Sequence, residues 1–400
     1  MREITLKNGL KVLYEQKERN AVVVQIMIKT GSNHEAKDER GISHFLEHIL
    51  FEGTVKRPTN QEISNEIESI GGDFNAYTTN ERTCFYIKVL NKHFHKATDI
   101  LADIMLHSLF KEEHIAKEKN IVLKEIDMVN DEPSYYQWLL LQSNIFKNHP
   151  ARHPTYGDRK IIKNLTRKKI MSYFHKHYVA GNMVISVVGN VKDWKEKVQV
   201  FSNIPKGSAK SLPKGREPVA KRNEVFKKKK KTINTYTLIG FKTVPRTHKD
   251  SYALEVMNGI LGRGQSGRMF TEIRGKRALA YDVGTQHISE AGFGYFAVYA
   301  TIDRKNVPLV KKLALEEIKK IKDITPKDLK ESKDFVEGNY LLSMEDVQKV
   351  ADQLLFWNQI SNAQGMKNFV KEIKKVTLND VKRVAEKYFK HYTMAIVEGK

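Results

Sequence analysis

The chain of 400 residues holds a single cysteine, Cys84, and no apolar stretch near the roughly 20 residues that a membrane-spanning helix requires. One thiol cannot close a disulfide within the chain, which excludes a disulfide-stapled extracellular scaffold and suits a reducing cytoplasm. Cys84 lies in the strand-like run TCFYIKVL, where it reads as a small buried apolar residue. The opening residues Met1 to Tyr14 alternate polar and apolar around Asn8-Gly9, and so read as a hairpin rather than a secretory or organellar leader.

Acidic residues are also scarce relative to basic ones, 47 against 69, for a formal net charge of +22. Such an excess suits nucleic acid or anionic lipid. The lysines are nevertheless spread over nearly every segment instead of clustering with aromatics, which argues against nucleic-acid binding and for a solvated, lysine-rich surface. With 40% apolar and 29% charged residues the chain is expected to be soluble and globular, with no membrane association. Its length exceeds what one compact core needs, so two domains are expected.

The division falls at residues 205–224, where Pro205, Pro213, Pro218, Gly207 and Gly215 interrupt any apolar periodicity. This gives an N-terminal α+β domain at 1–204, a basic linker at 205–224 and a C-terminal α+β domain at 225–400. The two halves read as distant copies, each running from strands through a helix and a glycine-containing turn to more strands, paired helices and a final strand. In the first half, Ala21 to Ile28 is a strand. Helices near 40–52 and 60–70, a strand near 74–90 and helices near 92–107 and 112–130 follow, and Met183 to Val188 is the last strand. In the second half, a strand near 232–241 precedes helices near 250–261 and 267–275. Strands near 280–302, helices near 306–321 and 327–342, and a last strand at Tyr392 to Val397 complete it.

Chemistry is concentrated between Ser43 and Leu50. Ile42, Phe45, Leu46 and Ile49 occupy one side of a helix, and His44, Glu47 and His48 project from the other. Histidines at i and i+4 lie one turn apart, so both imidazoles can converge on one zinc ion, with Glu47 between them in reach of a water polarised by the metal. The plain alternative is a surface helix with titrating histidines, and the apolar opposite face weakens it. A catalytic zinc takes three protein ligands, so a third donor is needed. Glu125 is the choice. It shares a helical face with Glu118, seven residues earlier, which places the two as ligand and supporting partner. By spacing alone the pair could equally be surface glutamates.

These residues resemble the inverted-zincin peptidases of the pitrilysin, insulin-degrading enzyme and mitochondrial processing peptidase family. The resemblance is carried by His44-Phe-Leu-Glu-His48 with Phe51-Glu-Gly-Thr54, by Gly71-Gly-Asp-Phe-Asn-Ala-Tyr-Thr78, and by Glu118 with Glu125, which follows His48 after 76 intervening residues. It continues through Tyr178 to Gly189 and returns at Ser266 to Tyr281, and so spans essentially the whole chain. It implies two homologous α/β-sandwich domains of the LuxS/MPP-like type that together form half of a clamshell. It further implies one zinc ion per chain on His44, His48 and Glu125, and a peptide held from the second half by Arg274 and Tyr281. Without it, those two are an ordinary surface arginine and a half-buried strand tyrosine. The family commonly has glycine where this chain has Ala278, which questions the turn before Tyr281.

The resulting expectation is a zinc endopeptidase acting on peptides or unfolded polypeptide segments within an enclosed chamber, with Glu47 as general base. No serine or cysteine nucleophile constellation competes with it. The Gly71-Gly72 turn would free the strand Phe74 to Thr78 to pair with an extended peptide, with Asn75 and Ala76 as contact residues. Alternatively Gly-Gly only permits a tight hairpin that Asn75 caps. One clamshell half needs a second chain, so a homodimer is expected, with a heterodimer with an inactive paralogue as runner-up. A subunit that keeps the fold as a scaffold or binding partner without turnover is the competing function.

Overall fold

The computed structural model describes residues 1–208 and 217–399. Residues 209–216 of the expected linker, Pro213 and Gly215 among them, lie outside the described residues. The architecture is α+β. The first sheet contains β1 (Arg2–Thr5), β2 (Lys11–Gln16), β3 (Ala21–Ile28), β4 (Asp73–Thr78), β5 (Thr83–Leu90) and β6 (Met183–Gly189), in the order β1-β2-β6-β3-β5-β4. The second contains β7 (Glu224–Lys229), β8 (Thr235–Lys242), β9 (Ala280–Ser289), β10 (Gly294–Ile302) and β11 (Thr393–Glu398), in the order β7-β11-β8-β10-β9.

Sheet order makes the internal repeat explicit. β2 pairs parallel with β6, as β7 does with β11, and every other pairing is antiparallel. Strands β2, β6, β3, β5 and β4 therefore correspond to β7, β11, β8, β10 and β9. β3 is apolar on both faces, with Val22, Val23, Val24, Ile26, Met27 and Ile28 all at 0% exposure, because helices cover the sheet on both sides. The single strand expected near 74–90 is the β4–β5 hairpin, turned at Thr79 to Arg82 without a glycine or proline to mark it. The helix expected near 267–275 is a π-helix, Phe270–Gly275.

The compact units are not the contiguous halves that a cut at 205–224 would give. The first comprises Met1–Ile126, the described part of His153–Lys214, and Ser343–Met366. The second comprises Asp127–Arg152 and the described parts of Gly215–Leu342 and Lys367–Lys400. The cause is an exchange of helices. Helix Val347–Ile360, late in the chain, lays Val350, Ala351, Leu354 and Leu355 on β3 and β6 of the first sheet. Helix Pro133–Ile145, early in the chain, packs Leu141 and Ile145 on β8 and β11 of the second. Burying each of the valine, leucine and isoleucine side chains contributes about 1.5–3 kcal/mol, so each borrowed helix adds several kcal/mol to the sheet that it covers.

Candidate metal centre

Helix Ile42–Ile49 turns Phe45, Leu46 and Ile42 into the first unit's core at 0% exposure, and this fixes the opposite side that carries His44, Glu47 and His48. Both ends of the helix are pinned. At the start, the Glu35 carboxylate accepts the amide hydrogens of Gly41 and Ser43 at 2.7 and 2.9 Å, a negative group where free N–H donors emerge. Loss of water around it pushes the Glu35 carboxyl up to about 7 against those donors. At the end, Gly53 takes a φ of +146°, and a Cβ there would stand 2.4 Å from the Pro58 carbonyl oxygen, so only glycine fits. Thr54 then donates to Asp103 at 2.6 Å, and Arg57 pairs with Asp103, Asp99 and Glu66 to anchor the loop.

Helix Glu112–Asp131 brings Glu118 and Glu125 to this face. The Nε2 atoms of His44 and His48 lie 3.6 and 3.5 Å from the Glu125 carboxylate oxygens. One donor atom from each of His44, His48 and Glu125 falls within 4.8 Å of the others. Zinc bonds of about 2.0–2.2 Å in tetrahedral geometry place ligand atoms roughly 3.3–3.6 Å apart, which the two nitrogen–carboxylate separations match. Glu118 adds a second carboxylate, with Oε2 3.2 Å from His48 Nδ1. It is itself buried, with Lys117, which pairs with Glu52 at 2.9 Å, 3.8 Å away.

The electrostatics are those of a place for positive charge. Burial opposes a charged imidazole, yet the Glu118 and Glu125 carboxylates outweigh it at His48 and push that ring up to about 10. Burial holds the adjacent His44 down at about 4, with the Glu125 carboxylate pulling the other way. The buried Nδ1 of His44 has no hydrogen-bond partner. Neither has Glu47 Oε2, and burial raises the Glu47 carboxyl while the Thr78 hydroxyl and the His48 charge pull it back. Two imidazole Nε2 atoms converging on one carboxylate, with a buried His44 Nδ1 and Glu47 Oε2 left unpartnered beside them, fit a bound cation.

The substrate-side expectations are placed as follows. Gly71 adopts a φ of +70°, and β4 beyond it pairs only with β5, leaving its other edge unpaired among the described residues. Thr78 at its end borders Glu47, while Asn75 Oδ1 accepts the amide hydrogen of Ala76 at 2.8 Å. Arg274 and Tyr281 belong to the second unit and both are exposed. The Arg274 guanidinium sits 5.2 Å over the Phe270 ring, and Tyr281 is the second residue of β9. The turn between them forms with Ala278 at a φ of +52°, the left-handed conformation that glycine adopts at little cost. Sequence reasoning missed Glu35, because a carboxylate six to eight residues upstream of the amides it accepts leaves no capping-box pattern.

Fold and site together define a two-unit α+β protein with a histidine–carboxylate cluster, on an inverted motif, that could hold a metal ion. The chain belongs to peptidase family M16: residues 11–159 match Insulinase (Peptidase family M16), and residues 164–335 match Peptidase M16 inactive domain. It is 31% identical over 408 residues to the uncharacterized zinc protease YmxG of Bacillus subtilis strain 168, covering 99% of this chain and 98% of that one. Among solved structures it resembles a protease from Helicobacter pylori, with a TM-score of 0.93, 24% identity and 99% of each chain covered. It also resembles a peptidase M16 inactive domain from Pseudomonas fluorescens, with a TM-score of 0.90, 21% identity and coverage of 100% and 98%. These last two likenesses show the fold. Among the described residues no helix is long and apolar enough to cross a membrane.

Proposed function

We propose that the chain is a zinc-dependent endopeptidase that cuts peptides or unfolded polypeptide segments, with His44, His48 and Glu125 holding one zinc ion. The observation that carries this is the convergence of their three donor atoms within 4.8 Å, with the buried, unpartnered Glu47 oxygen one helical position from His48. Zinc bound there supplies Lewis-acid polarisation of water and of the scissile carbonyl. Glu47, raised by burial towards the working pH, takes the proton of the attacking water and returns it to the leaving amine. Glu118 holds the His48 ring through Nδ1 and so leaves Nε2 to act as a donor.

The free edge of β4 supports addition of an extended peptide as a further strand ending beside Glu47, with Asn75 giving up the Ala76 amide as the peptide pairs. Arg274 and Tyr281 would hold the peptide from the second unit, and a second copy of the chain, or a paralogue, would complete a chamber.

The match of the second half to a domain described as inactive favours one competing reading, a binding or scaffold subunit without turnover. Metal analysis with digestion of a broad peptide library separates the two. About one zinc per chain is expected, with cleavage lost and zinc retained in Glu47→Gln. Normal cleavage by that variant overturns the mechanism, and a zinc-loaded chain that cuts no peptide leaves the binding reading.

A further inference from the structure

Helix Pro133–Ile145 lies across β11 and β8, and beyond it the sheet face formed by β10 and β9 opens into a cavity of about 730 Å³. Tyr135 and Trp138 project into it from the helix, Tyr295 and Tyr299 from β10, and Asp282 from β9. Tyr299 can lie across β9 because its register partner is Gly284, where a Cβ would stand 2.5 Å from the phenol oxygen. Tyr135 is 62% exposed. Asp282 is also exposed, and no hydrogen bond or ion pair engages its carboxylate among the described residues. Its charge, after burial, helps to raise the Tyr299 phenol, which marks the two as neighbours. Gln137, only 5% exposed, keeps a buried carbonyl oxygen without a hydrogen-bond partner in the wall of the same cavity.

The corresponding place in the first unit is closed. There helix Val347–Ile360 crosses β6 and β3, and the neighbouring face of β5 and β4 is filled by polar contacts with that helix and its lead-in. Tyr77 and Gln25 both donate to Asp352 at 2.5 Å, and Lys88 pairs with Asp346 at 3.2 Å. Two copies of one architecture thus differ here in a specific way. One closes the face with its own cation and carboxylates, and the other presents four aromatic rings, a free carboxylate and an unmet carbonyl. No lysine or arginine lines this cavity among the described residues, in a chain that has 69 of them. Ring faces carry negative electrostatic potential, and a carboxylate beside them completes a receptor for a cation.

We infer that this cavity binds the lysine or arginine side chain of an extended peptide, the rings of Tyr135, Trp138, Tyr295 and Tyr299 taking the stem and Asp282 the charged head. The Gln137 carbonyl accepts a hydrogen bond from that head or from the peptide amide. The inference rests on the reading that the chain handles peptides, and it names a side-chain preference for them.

The test uses the full chain carrying Glu47→Gln, so that binding is measured without hydrolysis. Short fluorescein-labelled peptides, acetylated and amidated at their ends, carry one central lysine or arginine, or norleucine or citrulline in its place. Fluorescence anisotropy is expected to give the charged peptides about fivefold or greater tighter binding than their neutral counterparts. Asp282→Asn, at an exposed position, should remove most of that preference, and Tyr135→Ala should weaken binding of the charged peptides. Equal binding of lysine and norleucine peptides overturns the inference, as does a preference that survives Asp282→Asn and Tyr135→Ala combined. A wild-type chain that cleaves nothing but keeps the lysine preference overturns the endopeptidase reading alone.

Discussion

Nδ1 of His48 lies 3.2 Å from Oε2 of Glu118, seven residues before Glu125 on the same helix, so one helix supplies both a ligand candidate and the group that orients another ligand. An outer carboxylate of this kind fixes the imidazole tautomer and strengthens its donor nitrogen. Glu118→Gln should therefore weaken zinc affinity by about 10- to 100-fold with the fold intact. Competition for zinc against a chelator of known affinity, with circular dichroism as the fold control, measures this. Unchanged affinity would show that Glu118 does not support the metal.

Gly53 controls where the helix of His44 and His48 is released into its loop. Gly53→Ala places a Cβ 2.4 Å from a backbone carbonyl at a φ of +146°, and neither the carbonyl nor the strain can be relieved by a side-chain rotation. The cost should be on the order of 2 kcal/mol or more, with weakened zinc binding as the loop shifts. Denaturant midpoints of the metal-free variant and wild type test it, and a loss below about 0.5 kcal/mol would count against the clash.

Ala278 works in the opposite direction. It is exposed, it packs against nothing that glycine would lose, and its φ of +52° strains an L residue. Ala278→Gly should raise stability by about 1 kcal/mol, read as a higher denaturant midpoint, and a lower midpoint would contradict this account.

The second unit should respond to acid through Glu255. Burial opposes its charge, but the His287 ring N–H at 3.0 Å and the Arg246 guanidinium at 3.1 Å hold the carboxyl at about 2, below its ordinary 4.5. Burial keeps His287 itself low, so Arg246 supplies the standing positive charge. A depressed carboxyl adds stability above its ordinary value, and that contribution is lost as pH falls from about 4.5 towards 2. Glu255→Gln should be less stable than wild type at neutral pH, and the difference should shrink across that window in urea titrations. A difference that stays constant down to pH 2 would place the effect elsewhere.

The helix of His44 and His48 was legible because its apolar and candidate ligand residues separate cleanly at a period of 3.6, and β3 because Ala21 to Ile28 is a largely β-branched apolar run broken only by Gln25. Spacing alone made Glu125 a candidate third donor that could equally be one of a pair of surface glutamates, and the resemblance set it apart. Glu35 left no signal at all. The β4–β5 hairpin was read as one strand because Thr79-Asn-Glu-Arg82 holds neither glycine nor proline. The exchanged helices were not legible for a different reason. Trp138, Leu139, Leu140 and Leu141 mark an apolar helix, yet nothing in a periodic pattern says which of two similar sheets will receive it.

That exchange has a consequence for synthesis on the ribosome. The sheet beside the candidate metal helix receives its cover over β3 and β6 only once the helix ending at Ile360 has been made, long after its own last strand, β6, ends at Gly189. Until then an apolar sheet face stays open to water, and a nascent chain halted at the linker carries every metal-binding candidate on a sheet still missing one of its covering helices. Assembly of the candidate centre is thereby tied to prior synthesis of strands β7 to β10 of the other sheet, a built-in delay between making its residues and closing a finished core around them.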